Sequence, residues 1–307
     1  MKIVVLMSTY NGEKFIREQI ESILNQDICG EMSLELLVRD DGSSDATTAI
    51  LTEYQEAGKL TWYTGENLRP AKSFWHLMHH APESDYYAFC DQDDVWFADK
   101  LSRAVHTMAE KADPATPALF CSAVTVTDQM LNPTGTMCGD YPAKQDFAYA
   151  LLYSIAPGCT FVFNAAARQE MKRYNIYEKT EIIHDWLAYK IIAMKGVILY
   201  DAKPTMYYRQ HGNNVIGSQK KGLAGMWKKA KGFLKNNSCV RSRVARSLME
   251  VYGDDLDRDG TEYRLLNLVG NYQGDKKLKK EFLKEKLFRI GTVNDRFLSV
   301  LIRMEKI

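Results

Sequence analysis

The chain has 307 residues, 46% apolar and 26% charged, with a net charge of +1; this suits one large domain, or a domain with an appendage, and excludes a disordered chain. The charge is uneven: residues 1–218 hold 19 Lys and Arg against 28 Asp and Glu, residues 219–250 hold 9 against 1, and residues 251–307 hold 12 against 10. An acidic body with a basic tail argues against a nucleic-acid binder, and six cysteines without a CxxC pair argue against a disulfide framework or a zinc site.

Lys2 and the apolar run 3–7 are too short for a signal-peptide core, and no apolar stretch reaches the ~18 residues needed to span a bilayer. The expected location is therefore the cytoplasm, with peripheral contact at the inner face of the plasma membrane as an option. Residues 3–7 read as a buried strand. Residues 13–25 place Phe15, Ile16, Ile20, Ile23 and Leu24 at helical spacing. A strand at 34–38 is followed by a helix at 45–55, with Ser43 or Ser44 as its N-cap. A strand at 60–64, a helix at 71–80 opened by Pro70, and a strand at 86–90 complete the alternation.

Further on, 118–126 and 160–163 read as strands, 187–194 as a helix, and 197–200 and 205–209 as extended. Beyond about 219 the pattern is helical and basic. Strands separated by helices imply an α/β fold with a mostly parallel sheet, in which ligands bind beyond the carboxyl ends of the strands.

Three polar motifs begin where a strand run ends, and so point to one crevice. In Asp91-Gln92-Asp93-Asp94, carboxylates at i and i+2 can face a divalent cation, and Mg²⁺ or Mn²⁺ commonly bridges such groups to a diphosphate. The plainer alternative is a solvated loop, or Asp94 capping the next helix. Asp40-Asp41-Gly42-Ser43-Ser44-Asp45 offers acceptors for a pyrimidine N–H or ribose hydroxyls, though a capped turn reads similarly. Thr9-Tyr10-Asn11-Gly12-Glu13 joins a strand to a helix, so its amides can approach a nucleotide.

Taken in order, "MSTYNGEKFIREQIESILNQ", "LLVRDDGSSDAT", "YYAFCDQDDVWFADKL" and "YRQHGNN" resemble the family 2 glycosyltransferases of GT-A fold, over residues 1–215. The pairing of "DQDDVW" with "HDW" and "YRQHG" is most similar to the bacterial rhamnosyltransferase-like branch. The resemblance implies a GT-A catalytic domain at 1–218 and a basic, mostly helical C-terminal extension at 219–307. It implies that Thr9, Tyr10 and Asn11 line the nucleotide pocket and that Asp41, with Asp40 near it, contacts the base.

By the same resemblance, Asp91 and Asp93 hold Mg²⁺ or Mn²⁺ and the donor diphosphate, with Asp94 a weaker candidate. Asp185 is the catalytic base, with His184 where an acidic residue is more common. His211 completes the metal shell or bonds phosphate, and Arg209 offsets the diphosphate charge. Cys159, beside the acceptor cleft on this reading, is not needed as a nucleophile in an inverting mechanism.

The implied activity is inverting, metal-dependent transfer of a sugar from a nucleotide-diphospho-sugar to a cell-surface polysaccharide or lipid-linked glycan. The first choice of donor is dTDP-L-rhamnose, and a UDP-hexose is the alternative. A noncatalytic nucleotide-sugar-binding protein would have little use for the intact acidic motifs. A nucleotidyltransferase would want a Gly-rich, basic loop after the first strand, and residues 8–14 hold one glycine and one lysine. Residues 223–234 place Leu223, Met226, Trp227, Phe233 and Leu234 on one helical face with lysines around it. Such a helix, within a basic stretch at 222–246, suits an anionic membrane surface, packing on the catalytic domain, or a homodimer contact.

Overall fold

The computed structural model describes residues 1–28, 32–139, 146–179, 182–212, 239–289 and 293–307. Residues 2–9, read from their apolar run, form β1 (Lys2–Thr9), whose Ile3 to Met7 are all fully buried. A strand covered on both faces reads as a continuous apolar run rather than an alternation. There follow α1 (Ile16–Leu24), β2 (Ser33–Asp40), α2 (Thr47–Glu56), β3 (Thr61–Thr64), α3 (Arg69–His80) and β4 (Tyr86–Cys90). Next come β5 (Val95–Trp96), α4 (Lys100–Lys111), β6 (Ala118–Ser122), β7 (Val124–Thr127), β8 (Pro133–Met137) and α5 (Phe147–Leu152). After a 3-10 turn at Gly158–Thr160 come β9 (Val162–Asn164), α6 (Ala165–Lys172), α7 (Ile176–Lys179), α8 (His184–Lys195), β10 (Val197–Asp201) and β11 (Met206–Arg209).

The main sheet runs β10-β6-β9-β4-β1-β2-β3, parallel except for β9, which pairs antiparallel with β4 and β6. Thr9 lies opposite Asp40 on β2, and Met7 opposite Cys90 on β4. The three motifs therefore leave the sheet at one edge because their strands are parallel and in near register. A second sheet, β5-β11-β7-β8, carries Arg209 at the end of β11.

Three expectations change. The helix expected from residue 13 starts at Ile16, because the Gly12 and Glu13 amides are bonded to Thr47 Oγ1 at 2.8 Å and Asp45 Oδ2 at 3.1 Å, and Gly12 O closes a turn onto Phe15 and Ile16. The single strand expected at 118–126 divides at Ala123 between the two sheets, a division that uniformly buried residues cannot signal. Ser43 and Ser44 do not cap α2: Asp45 Oδ1 accepts the Thr47 N–H at 2.9 Å instead, while the Ser43 hydroxyl is engaged elsewhere.

The chain divides into two compact units: 1–145 with 154–177 and 183–211, and 146–153 with 178–182 and 212–307. The second thus takes in α5, from within the stretch read as catalytic domain. Its helices are α9 (Val240–Tyr252), α10 (Thr261–Asn271), α11 (Lys276–Lys284) and α12 (Val293–Arg303). Ser242 Oγ donates to Val269 O at 2.7 Å, and Phe282 packs against Tyr272 and Phe288. The boundary expected at 218/219 and the amphipathic face at 223–234 lie outside the described residues. Of the basic stretch 222–246, Arg241 donates to Leu152 O at 2.8 Å and Arg246 to Gly270 O, both inside this unit. Among the described residues no helix is long and apolar enough to cross a membrane.

Candidate active site

The first two strand ends are stitched together by their own polar groups. Asn11 takes a left-handed conformation (φ 49°), which asparagine tolerates better than most residues. Its N–H donates to Ser43 Oγ and its Oδ1 accepts the Ser44 N–H, both at 2.8 Å. Thr9 is buried and its hydroxyl donates to Gln92 Oε1, which also accepts the Tyr10 N–H at 2.9 Å; Gln92 Nε2 returns a bond to Tyr10 O at 3.1 Å. Gln92 therefore fastens the acidic loop to the end of β1. Gly12 must lack a side chain, since a Cβ there would lie 2.3 Å from Gln92 Oε1. Of the three residues expected to line a nucleotide pocket, Thr9 and Asn11 hold the loops together, while the Tyr10 side chain is 48% exposed.

Asp40 is fully buried and its carboxylate accepts from Gly42 N (3.1 Å), Ser43 N (2.9 Å), Ser43 Oγ (2.5 Å) and Thr64 Oγ1 (3.2 Å). Three of these donors converge on Oδ2 and the Ser43 hydroxyl takes Oδ1, so the carboxylate shapes the turn; Gly42, at φ +85°, supplies the reversal. Asp41 Oδ1 accepts from Arg39 Nη1 and from Leu68 N at 3.0 Å, and Oδ2 from Arg69 N at 2.8 Å. A carboxylate oxygen can accept two bonds, so Oδ2 has capacity for another donor.

The acidic loop follows β4. His211 Nε2 lies 2.7 Å from Asp93 Oδ2, and the His211 ring packs on Phe15 at 4.9 Å. Ligand atoms of Asp91, Asp94 and Cys159 come within 4.8 Å of one another. Asp94 is buried; one oxygen accepts the Arg209 N–H at 3.0 Å, and Oδ2 has no hydrogen-bond partner among the described residues. Burial, then the charges of Asp93 and Asp185, push the Asp91 carboxyl up to about 7. Burial, then Asp93 and Asp91, push Asp94 well above the usual carboxylate range. Crowded carboxylates held this way favour a cation.

The residues present fit Mg²⁺ or Mn²⁺, which take carboxylate oxygens; the imidazole suits Mn²⁺ as well. The 2.7 Å contact of His211 Nε2 with Asp93 Oδ2 already brings an imidazole nitrogen and a carboxylate oxygen together as the donors such an ion would use.

Arg209, expected to offset the diphosphate charge, is engaged within the protein. Its side chain is buried; Nε donates to Asp93 O at 2.8 Å, Nη1 to Gln129 O and Nη2 to the Glu18 carboxylate, and its guanidinium lies 4.6 Å from the Phe15 ring centroid. It braces the acidic loop against α1. Glu18, Phe15 and Gln92 are given no site role by the sequence, because helix positions and a motif spacer carry no distinguishing pattern.

Asp185 sits in the first turn of α8 and is buried. Its oxygens accept the Gly158 N–H at 3.1 Å and the Trp186 N–H at 2.7 Å. Burial raises its carboxyl to about 6 against the lowering effect of those two amides. Gly158 permits this approach, since a Cβ there would lie 2.6 Å from Asp185 Cβ. His184 is stacked at 4.1 Å on Phe74 and meets Phe89 edge-on, and neither ring nitrogen has a partner among the described residues. Burial lowers its pKa to about 3, so it stays neutral. Of the pair, Asp185 has the pKa of a base working near neutrality.

A family model described as Glycosyl transferase family 2 matches residues 4–171. The dTDP-rhamnosyl transferase RfbG of Shigella flexneri is 30% identical over 231 residues, which cover 69% of this chain and 74% of that protein. Among solved structures, S. aureus TarS 1–349 in complex with UDP-GlcNAc aligns with a TM-score of 0.58 at 17% identity, covering 98% of this chain and 79% of that one. The mannosyltransferase PcManGT from Pyrobaculum calidifontis, in complex with GDP-Man and Mn²⁺, aligns at 0.50 and 17%, covering 99% and 79%. These likenesses establish the GT-A fold.

Proposed function

Since the chain belongs to glycosyl transferase family 2, and is thus a nucleotide-sugar-dependent glycosyltransferase, we propose that it works by inversion, with Asp185 as the base and the loop 91–94 at the donor diphosphate. The observation that carries this reading is the Gly158–Cys159 turn: the Gly158 N–H donates to Asp185 at 3.1 Å, and the sulfur of the next residue, Cys159, lies within 4.8 Å of ligand atoms of Asp91 and Asp94, so one turn joins the base to the acidic loop. Asp91, Asp93 and His211 would hold the divalent ion, which when bound offsets charge on the departing nucleotide diphosphate. The exposed Tyr10 ring covers the base, and Asp41 Oδ2 accepts its N–H or a ribose hydroxyl. Asp185 takes the proton of the acceptor hydroxyl as it attacks the anomeric carbon, while the Gly158 and Trp186 amides hold the carboxylate oriented. No covalent intermediate is needed.

Activity is expected to fall as pH drops through about 6, because Asp185 becomes protonated there and cannot accept a proton. A pH profile of kcat/KM with no acidic limb between pH 5 and pH 7 would remove Asp185 from the base role.

The proposed donor is dTDP-L-rhamnose and the acceptor a cell-surface polysaccharide or lipid-linked glycan. The likeness to a dTDP-rhamnosyl transferase supports the donor. Nucleotide sugars can be compared by thermal shift with and without Mn²⁺, since a ligand bound to the folded state alone raises its stability. dTDP-L-rhamnose is expected to give the largest shift, and to need the metal. A shift confined to UDP-hexoses would transfer the assignment to that donor class.

A further inference from the structure

Lys100 has no part in the chemistry above, yet it is fully buried beside it. Its Nζ donates to Cys159 O at 2.6 Å, touches Met206 Sδ at 3.5 Å and lies 4.2 Å from the Trp96 ring centroid. An ammonium is costly to bury without a compensating charge. The carboxylates within its electrostatic reach are Asp94 and Asp91, the two residues whose ligand atoms converge with the sulfur of Cys159, the residue whose carbonyl Lys100 grips. Asp94 Oδ2 has no hydrogen-bond partner among the described residues. Two carboxylates and a thiol at that spacing could draw in a soft divalent ion, and Lys100 puts a fixed positive charge there instead. The Gly158–Thr160 turn that Lys100 grips at the Cys159 carbonyl also donates the Gly158 N–H to Asp185. One ammonium is therefore joined to the acidic loop by charge and to the base by two hydrogen bonds in series.

We propose that Lys100 is a positioning residue: a resident cation beside the Asp91, Asp94 and Cys159 cluster that holds the Gly158–Thr160 turn and keeps a second, soft ion out of that cluster. This rests on the reading of 91–94 as the metal loop. Full-length wild type and Lys100→Met are compared by calorimetric titration with Mn²⁺ and with Cd²⁺, and by steady-state kinetics.

Lys100→Met is expected to lose about 10- to 100-fold in kcat, the usual effect of disturbing groups that orient metal ligands, with donor KM little changed. It is also expected to bind one more Cd²⁺ than wild type, and Lys100→Met with Cys159→Ser should return to the wild-type number. A purely structural lysine would lower the melting temperature without splitting kcat from KM or adding an ion, and that result overturns the proposal. If Lys100→Met does not fold, Lys100→Gln, which keeps a donor but no charge, carries the same expectations, and wild-type behaviour in it overturns the proposal equally. If wild type binds no Mn²⁺ that Asp93→Ala removes, the metal-loop reading itself fails. If it does, and the Lys100 variants match wild type, only the Lys100 role fails.

Discussion

Asp185→Asn is expected to lower kcat by about 10²- to 10⁴-fold, the range supplied by a general base, while donor affinity stays near wild type. The amide keeps the size of the carboxylate, and its one oxygen can keep one of the two N–H contacts, while its NH2 faces the other donor. The side chain can no longer take the acceptor proton. The larger cost falls on chemistry: one amide contact is lost, but the main electrostatic load on Asp185 is a burial penalty that the neutral amide does not carry. Single-turnover kinetics together with donor binding by calorimetry make the check. Near-normal turnover would remove the base assignment, and lost donor binding with an intact melting transition would move Asp185 to the donor pocket.

Asp93→Ala is expected to have a comparable effect through the leaving group. Stabilising the departing diphosphate is worth several kcal/mol, so a loss of about 10³-fold in kcat/KM follows, at about 1.4 kcal/mol per tenfold. His211→Ala should share the direction with a smaller loss, because the imidazole is one ligand beside two carboxylates. Both variants should need more Mn²⁺ for half-maximal activity. Arg209 contrasts with them: its guanidinium is committed to Asp93 O, Gln129 O and Glu18, so its loss should show mainly in stability. An Asp93→Ala enzyme with wild-type metal dependence would take the ion away from this loop.

Much of the site was legible because parallel strands bring their ends together, and three polar motifs each followed an apolar run. The sheet order could not be read, since the antiparallel β9 sits between β4 and β6 with no signature in its three residues. β8 was missed because its Pro-Thr-Gly-Thr-Met segment is mostly exposed and lacks strand alternation, and α5 because six residues are too few for a helical period. Roles within motifs were harder. Asp40 and Asp41 are adjacent acids, and only their partners separate a carboxylate that gathers its own turn's donors from one that binds Arg39 and the amides of residues 68 and 69. Arg209 reads as a phosphate ligand in a polar strand end, yet Glu18, 191 residues away, occupies it. Lys100 had no signal, because a lysine at a helix start is ordinarily a solvated one.

The central claim, direct displacement at the anomeric carbon with Asp185 opposite the loop 91–94, is tested most directly by the configuration of the product. Proton NMR of the glycoside formed from an anomerically defined nucleotide sugar reads it in a single experiment. Inversion relative to the donor is the predicted result; retention would require a nucleophile or a front-face route and would contradict the account.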